Sequence, residues 1–309
     1  MRVMQPAFPQ ANSQAITLRD NRRRDLLVFF GATFGVTWGI AALALLIPNV
    51  VERLFGKLST TSPLYFLAVY APSLVAIMLT VFRGGWQSGL QLIGTLRPRK
   101  ANFSFYLAVL LGWPILNRLA LLLQGIATGT PTAWLDFSEW YMAPVLILLQ
   151  LATDAGPLGE ELGWRGYALP RLLSGPLSAL GAALLLGVIW GVWHLPAFFV
   201  AGTHQHDAHM GIFWLILGTT LSSVMMTWLY RHTDGDVLAS GLLVHLMNNF
   251  TTAELPFIDL VYAPLAIAAG VALLVKKRPA RPDLVPQSVT DRCRGVLSNR
   301  SSDTHLGKK

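Results

Sequence analysis

The sequence predicts an all-α fold, a polytopic transmembrane helical bundle of about eight spans, and three observations predict it. Apolar stretches long enough to cross roughly 30 Å of hydrocarbon recur along the chain. Charge is scarce and unevenly placed: 13% of residues are charged and 53% hydrophobic, where soluble domains carry roughly 25% charged residues. Of the 40 charged residues, six lie in 1–24 and twelve in 276–309, leaving 22 for the 251 residues between. So few cannot solvate a folded surface, which excludes a soluble globular protein and a disordered chain. The third observation is that the cations sit on alternate connections between spans. The net charge of +8 is therefore a matter of membrane topology and not of a nucleic-acid partner.

The first span, about 25–48, follows Arg22, Arg23 and Arg24. It is longer than the apolar core of a cleavable signal peptide and reads as a retained helix. Further spans are expected at about 63–82, 103–127, 141–158, 177–200, 212–230, 237–253 and 257–275. The fourth is interrupted by Asp154, Gly156, Pro157 and Gly159, breaks that neighbouring helices can accommodate inside a bundle. Continuous runs such as Ile40–Ile47 and Leu119–Leu123 argue against the alternating pattern of a membrane barrel. No internal repeat suggests an inverted-repeat transporter. The chain thus divides into an N-terminal cytoplasmic segment (1–24), a bundle (25–275) with its chemistry-bearing motifs in about 140–255, and a basic cytoplasmic tail (276–309). The tail carries Pro279, Pro282 and Pro286 without apolar periodicity and is expected to be flexible.

Eight spans put both termini on one side. That side collects 21 of the 24 Lys and Arg residues, and the other holds only Arg53 and Lys57. By the positive-inside rule both termini are expected in the cytoplasm, the protein being integral to a bacterial plasma membrane. Cys293 is the only cysteine, so neither an intramolecular disulfide nor a cysteine-based metal cluster can form.

Ionisable groups inside spans are costly and mark function by default. Three clusters qualify. Glu160-Glu161-Leu162-Gly163-Trp164-Arg165 is expected at the cytoplasmic end of span four. On a helix Glu161 and Arg165 pair at i,i+4, while Glu160 points about 100° away and stays available for chemistry. Trp190-Gly-Val-Trp-His194 lies deep in span five, and His245-Leu-Met-Asn-Asn249 puts a histidine and an amide on one face of span seven. Singly, each suits a salt-bridged helix end, a packing histidine or a helix–helix hydrogen bond. Together they supply a buried carboxylate, two imidazoles and an amide, the parts for activating water and stabilising an oxyanion.

In this order the motifs resemble those of the CPBP (CAAX-processing and bacteriocin-processing, or Abi) intramembrane proteases, which include the type II CAAX prenyl endopeptidases. The resemblance covers roughly residues 140–255 and rests on Glu160-Glu161-x-x-x-Arg165, the aromatic-x-x-x-His of Trp190–His194, and the His-x-x-x-Asn of His245–Asn249. Trp190 stands where the family pattern often has Phe. The resemblance implies an intramembrane endopeptidase acting on a membrane-associated protein or peptide, prenylated CAAX-type substrates among them, its site opening toward the cytoplasmic half. It also implies water activation by Glu160 and His194, with His245 and Asn249 at the oxyanion. Zinc is the one cofactor considered, with Glu160, His194 and His245 as N/O ligands, though no His-Glu-x-x-His helix makes a metalloprotease compelling. Competing readings are a non-catalytic immunity or scaffold protein and a proton-coupled transporter. The histidines of Thr203–His209 read as solvated loop residues, and Arg118 as a snorkelling or helix-paired cation.

Overall fold

The computed structural model describes residues 9–59, 61–130, 140–207, 211–251 and 258–275. The expected flexible tail lies outside them. Among the described residues every regular element is helical. In order these are α1 (Pro9–Leu46), α2 (Pro48–Phe55), α3 (Pro63–Gly84), α4 (Trp86–Gly94), α5 (Phe103–Thr128), α6 (Ala143–Thr153), α7 (Ala155–Glu161), α8 (Leu169–Leu173), α9 (Ala179–Trp193), α10 (His204–Asp207), α11 (Ile212–His232), α12 (Leu243–Thr251) and α13 (Ile258–Val275). Two π-helical stretches, Leu162–Ala168 and Leu238–Leu242, lead into α8 and α12. Five helices are long and apolar enough to cross a membrane: Asn21–Leu46, Pro63–Gly84, Lys100–Thr128, Ala179–Phe198 and Ile212–His232.

Local chemistry sets the helix limits. Ser62, Asp154 and Ser178 cap α3, α7 and α9 by accepting from the backbone N–H of Tyr65, Gly156 and Gly181. Pro196, two residues after His194, disfavours α-geometry in the residue before it, and α9 gives way to a 3-10 turn over Leu195–Phe198. Helices α9 and α11 touch backbone to backbone. A Cβ on Gly187 would lie 2.6 Å from Thr220 Cα, and one on Gly191 would lie 2.9 Å from Ile216 Cα. This is the small-residue spacing that lets membrane helices approach closely.

The fourth crossing differs from the sequence expectation. α6 ends at Thr153, and the chain crosses the bundle through α7, the π-helical stretch and α8, residues 155–173 and not 141–158. From Ala155 to Leu172 all but one residue is buried. Ser73 in the middle of α3 donates to the carbonyl of Leu158, and the path ends where Arg171 and Arg83 flank Asp25. Hydropathy favoured the lipid-facing α6 because it scores polarity without knowing whether protein or lipid surrounds it. Arg165 accordingly sits in the core, not in a loop, and 20 Lys/Arg residues remain on the basic side of the count.

That basic end is well defined. Asp25 binds Arg83 at 2.6 Å, Arg22 donates to the carbonyl of Ser174, and Arg99 donates to that of Asp234. Nearby, Asp236 accepts from Asn102 and Tyr106 and caps the second π-helical stretch through Ala239 N–H. The other end gathers the N-terminus of α3, the C-terminus of α1 and the turn after α9. There, Trp193 donates to Thr37, and Trp38 donates to the carbonyl of Trp193.

Candidate active site

Glu160 and Glu161 leave α7 in different directions, as helical geometry requires, and both are buried, at 3% and 0% exposure. Glu160 Oε2 accepts from Trp190 Nε1 at 2.5 Å and from Trp164 Nε1 at 3.3 Å. Both indoles hold the same oxygen, Oε2. A phenylalanine at 190 would supply the ring without the N–H. The sequence reading took Trp190 for an aromatic in a Phe position, and its hydrogen bond to Glu160 went unforeseen; an indole on the helix opposite a buried carboxylate is the signal that could have marked it.

Glu161 does more than pair with its own helix. Its Oε1 accepts from Arg165 at 2.9 Å and faces His245 Nδ1 at 2.8 Å, across 84 residues of sequence. A carboxylate facing Nδ1 selects the tautomer protonated there and turns Nε2 the other way. The Arg165 guanidinium lies 4.3 Å over the Trp190 ring, so the two acidic residues, the arginine and the tryptophan interlock.

His194 caps the C-terminus of α9. Its Nδ1 lies 2.8 Å from the carbonyl of Trp190, so Nδ1 carries the proton and Nε2 presents a lone pair. The His194 and His245 rings both pack on Trp190, at centroid distances of 6.0 and 5.2 Å. Trp190 is the common wall joining Glu160, His194 and His245.

Asn249 joins through Gly156. A Cβ built on Gly156 would stand 3.2 Å from His245 Nε2, 3.3 Å from Asn249 Nδ2 and 3.3 Å from Asp154 Oδ1. His245 Nε2 and Asn249 Nδ2 therefore flank one notch. Asp154 fixes its shape, with Oδ2 accepting from Asn249 Nδ2 at 2.9 Å and from Gln150 Nε2 at 3.1 Å, while Oδ1 takes the Gly156 N–H. The sequence reading saw Asp154 and Gly156 only as interruptions of a span. All six sequence-derived residues, Glu160, Glu161, Arg165, His194, His245 and Asn249, lie in this connected cluster, Glu161 touching His245 and Arg165 stacking on Trp190. The two π-helical stretches run beside it, and such wide turns are frequent at functional sites.

Among the described residues no three His, Cys, Asp or Glu side chains form a group that could hold a metal ion. Glu160 spends one oxygen on two indoles, and each histidine commits Nδ1 to a protein acceptor. Glu160, His194 and His245, the trio named as candidate zinc ligands, are not gathered into such a group among the described residues, and no step below is routed through a metal.

Residues 140–251 match the family model described as Type II CAAX prenyl endopeptidase Rce1-like. The chain is also 32% identical over 149 residues to CAAX prenyl protease 2 of Methanococcus maripaludis, covering 45% of this chain and 53% of that protein. It spans about half the length of the curated relative it matches. The motif-bearing part of this chain is thus similar to the type II CAAX proteases, and the described residues form a helical bundle with five helices long and apolar enough to cross a membrane.

Gly156→Ala puts a methyl group into the notch beside His245 and Asn249 without touching the ion pair. Misplacement on the ångström scale costs up to about 10²-fold in rate. A loss of turnover of that order is expected, at unchanged yield of folded protein. Full turnover in the alanine variant would remove the notch from the catalytic account.

Proposed function

We propose that the protein is a glutamate-dependent intramembrane endopeptidase that hydrolyses a peptide bond of a membrane-associated protein or peptide. The observation that carries the reading is the convergence of Glu160, His194 and His245 on Trp190. Water held between Glu160 Oε1 and His194 Nε2 attacks the scissile carbonyl carbon, and Glu160 takes its proton. The carbonyl oxygen becomes an oxyanion in the notch over Gly156. Asn249 donates to it through Nδ2, and His245 does so through Nε2 when the ring is an imidazolium beside the Glu161 carboxylate. As the tetrahedral intermediate collapses, Glu160 returns the proton to the leaving amine. Burial favours every one of these contacts, because the same charges interact more strongly away from water.

The scaffold reading gains no specific support, since a binding protein has no need to aim two hydrogen-bond donors into one notch. The experiment is hydrolysis of a panel of membrane-anchored peptides, prenylated and unprenylated, by purified protein with and without a chelator. Cleavage unaffected by the chelator is expected. Cleavage abolished by it and restored by zinc would replace this mechanism with a metal-dependent one.

We also propose that both termini are cytoplasmic, on the strength of the 20-to-2 division of Lys and Arg. Reporter fusions at Asp20, Leu90 and Val285 are expected to score cytoplasmic, and one at Gln205 external. An external score at Val285 would overturn this orientation.

A further inference from the structure

We infer that Asp154 is a positioning residue: its carboxylate turns the Asn249 side chain so that the amide nitrogen, and not the carbonyl oxygen, faces the notch over Gly156. This rests on the protease reading above and gives its oxyanion site a residue that lies in none of the three sequence motifs.

An asparagine side chain offers an acceptor at one end of its amide and a donor at the other, and a half-turn about the last torsion exchanges them with little change of shape. Which end faces the notch therefore decides whether Asn249 stabilises an oxyanion or repels it. A carboxylate can only accept. With Asp154 Oδ2 at 2.9 Å, the end of Asn249 turned toward it has to be Nδ2, since an oxygen there would set two acceptors against each other. That same nitrogen stands 3.3 Å from where a Cβ on Gly156 would be, next to His245 Nε2 at 3.2 Å. One of its two N–H groups is spent on Asp154. The other is the donor left for the notch.

The carboxylate is held in turn. Its Oδ1 accepts the Gly156 N–H at 3.0 Å, and Oδ2 accepts from Gln150 Nε2 at 3.1 Å as well as from Asn249. Helices α6, α7 and α12 are thus tied together through this one side chain. Capping α7 uses Oδ1 alone, and a serine serves about as well at that position. The cap does not account for Oδ2, the oxygen directed at Asn249 across 95 residues of sequence.

Two substitutions separate the cap from the positioning. Asp154→Ser keeps a cap and gives up the contact with Asn249. Asp154→Asn keeps the size and shape, and the Gly156 N–H holds its oxygen, so its NH2 points at Asn249. The Asn249 amide then has to turn over to meet a donor, which brings its carbonyl oxygen into the notch. Loss of one oxyanion donor costs about 10²–10³-fold in kcat. For full-length protein in detergent, Asp154→Asn is expected to lose that much in kcat at unchanged KM, with a thermal midpoint close to wild type. Asp154→Ser should lose less, so the isosteric change is the more damaging one. In an Asn249→Ala background, Asp154→Asn should cost nothing further.

A purely structural Asp154 predicts the reverse order, with Asp154→Asn the milder change. That order, wild-type turnover in Asp154→Ser, or a full further loss in the Asn249→Ala background overturns the inference. A second readout does not depend on turnover: the side-chain NH2 resonance of Asn249 in protein labelled with ¹⁵N-asparagine, assigned by its absence from Asn249→Ala. It is expected to shift in both Asp154 variants, and an unshifted resonance overturns the inference as well. A wild type that cleaves no peptide would count against the protease reading, and the resonance then decides by itself whether Asp154 sets the Asn249 amide.

Discussion

Glu160→Gln is expected to lower peptide hydrolysis by about 10²–10⁴-fold, the range for loss of a general base. The substitution keeps an oxygen for the Trp164 and Trp190 indoles, so the buried hydrogen bonds that hold the side chain can persist. What disappears is the capacity to take a proton from water. The comparison is made on protein that still elutes from detergent as a folded species. A variant that folds and retains wild-type turnover would falsify the assignment of Glu160 as the base.

The second large effect is on stability. Arg165→Ala removes the guanidinium from Glu161 in a region where both side chains have 0% exposure. Removing one partner of a buried pair costs about 3–5 kcal/mol, because the remaining charge is left uncompensated. A steep fall in folded yield and in thermal midpoint is expected. The double variant Glu161→Gln, Arg165→Met removes both charges at similar volume and should recover most of the yield. It should stay slow, since His245 has lost the carboxylate that sets its tautomer. A double variant that folds and turns over like wild type would show that Glu161 and Arg165 serve stability alone.

Much of this architecture was legible in the sequence, and the part that was not has a common physical origin. Helical spacing alone separates Glu160 from Glu161 and pairs Glu161 with Arg165, because i,i+4 neighbours are set by local geometry. The same arithmetic puts His245 and Asn249 on one face. The Glu161–His245 contact and the Trp190–Glu160 bond join elements far apart in the chain, and no local pattern encodes them. Hydropathy misplaced the fourth crossing for a related reason: Glu160, Glu161, Arg165 and Arg171 make residues 155–173 look like a loop, yet these groups satisfy one another inside protein. Asp154 and Gly156 were read by their effect on a helix, while their role depends on Asn249, 95 residues from Asp154.

The central claim is that Glu160 and His194 act on the same water, and a double-mutant cycle measures it most directly. Hydrolysis rates are compared for wild type, Glu160→Gln, His194→Ala and the double variant, each verified as folded. Groups that work as one unit lose nearly everything with the first removal, so effects on a shared step are far from additive. The account predicts that the double variant is about as slow as the slower single variant. Losses that multiply, each substitution costing its full factor in the presence of the other, would mean that the two side chains serve separate steps and would contradict it.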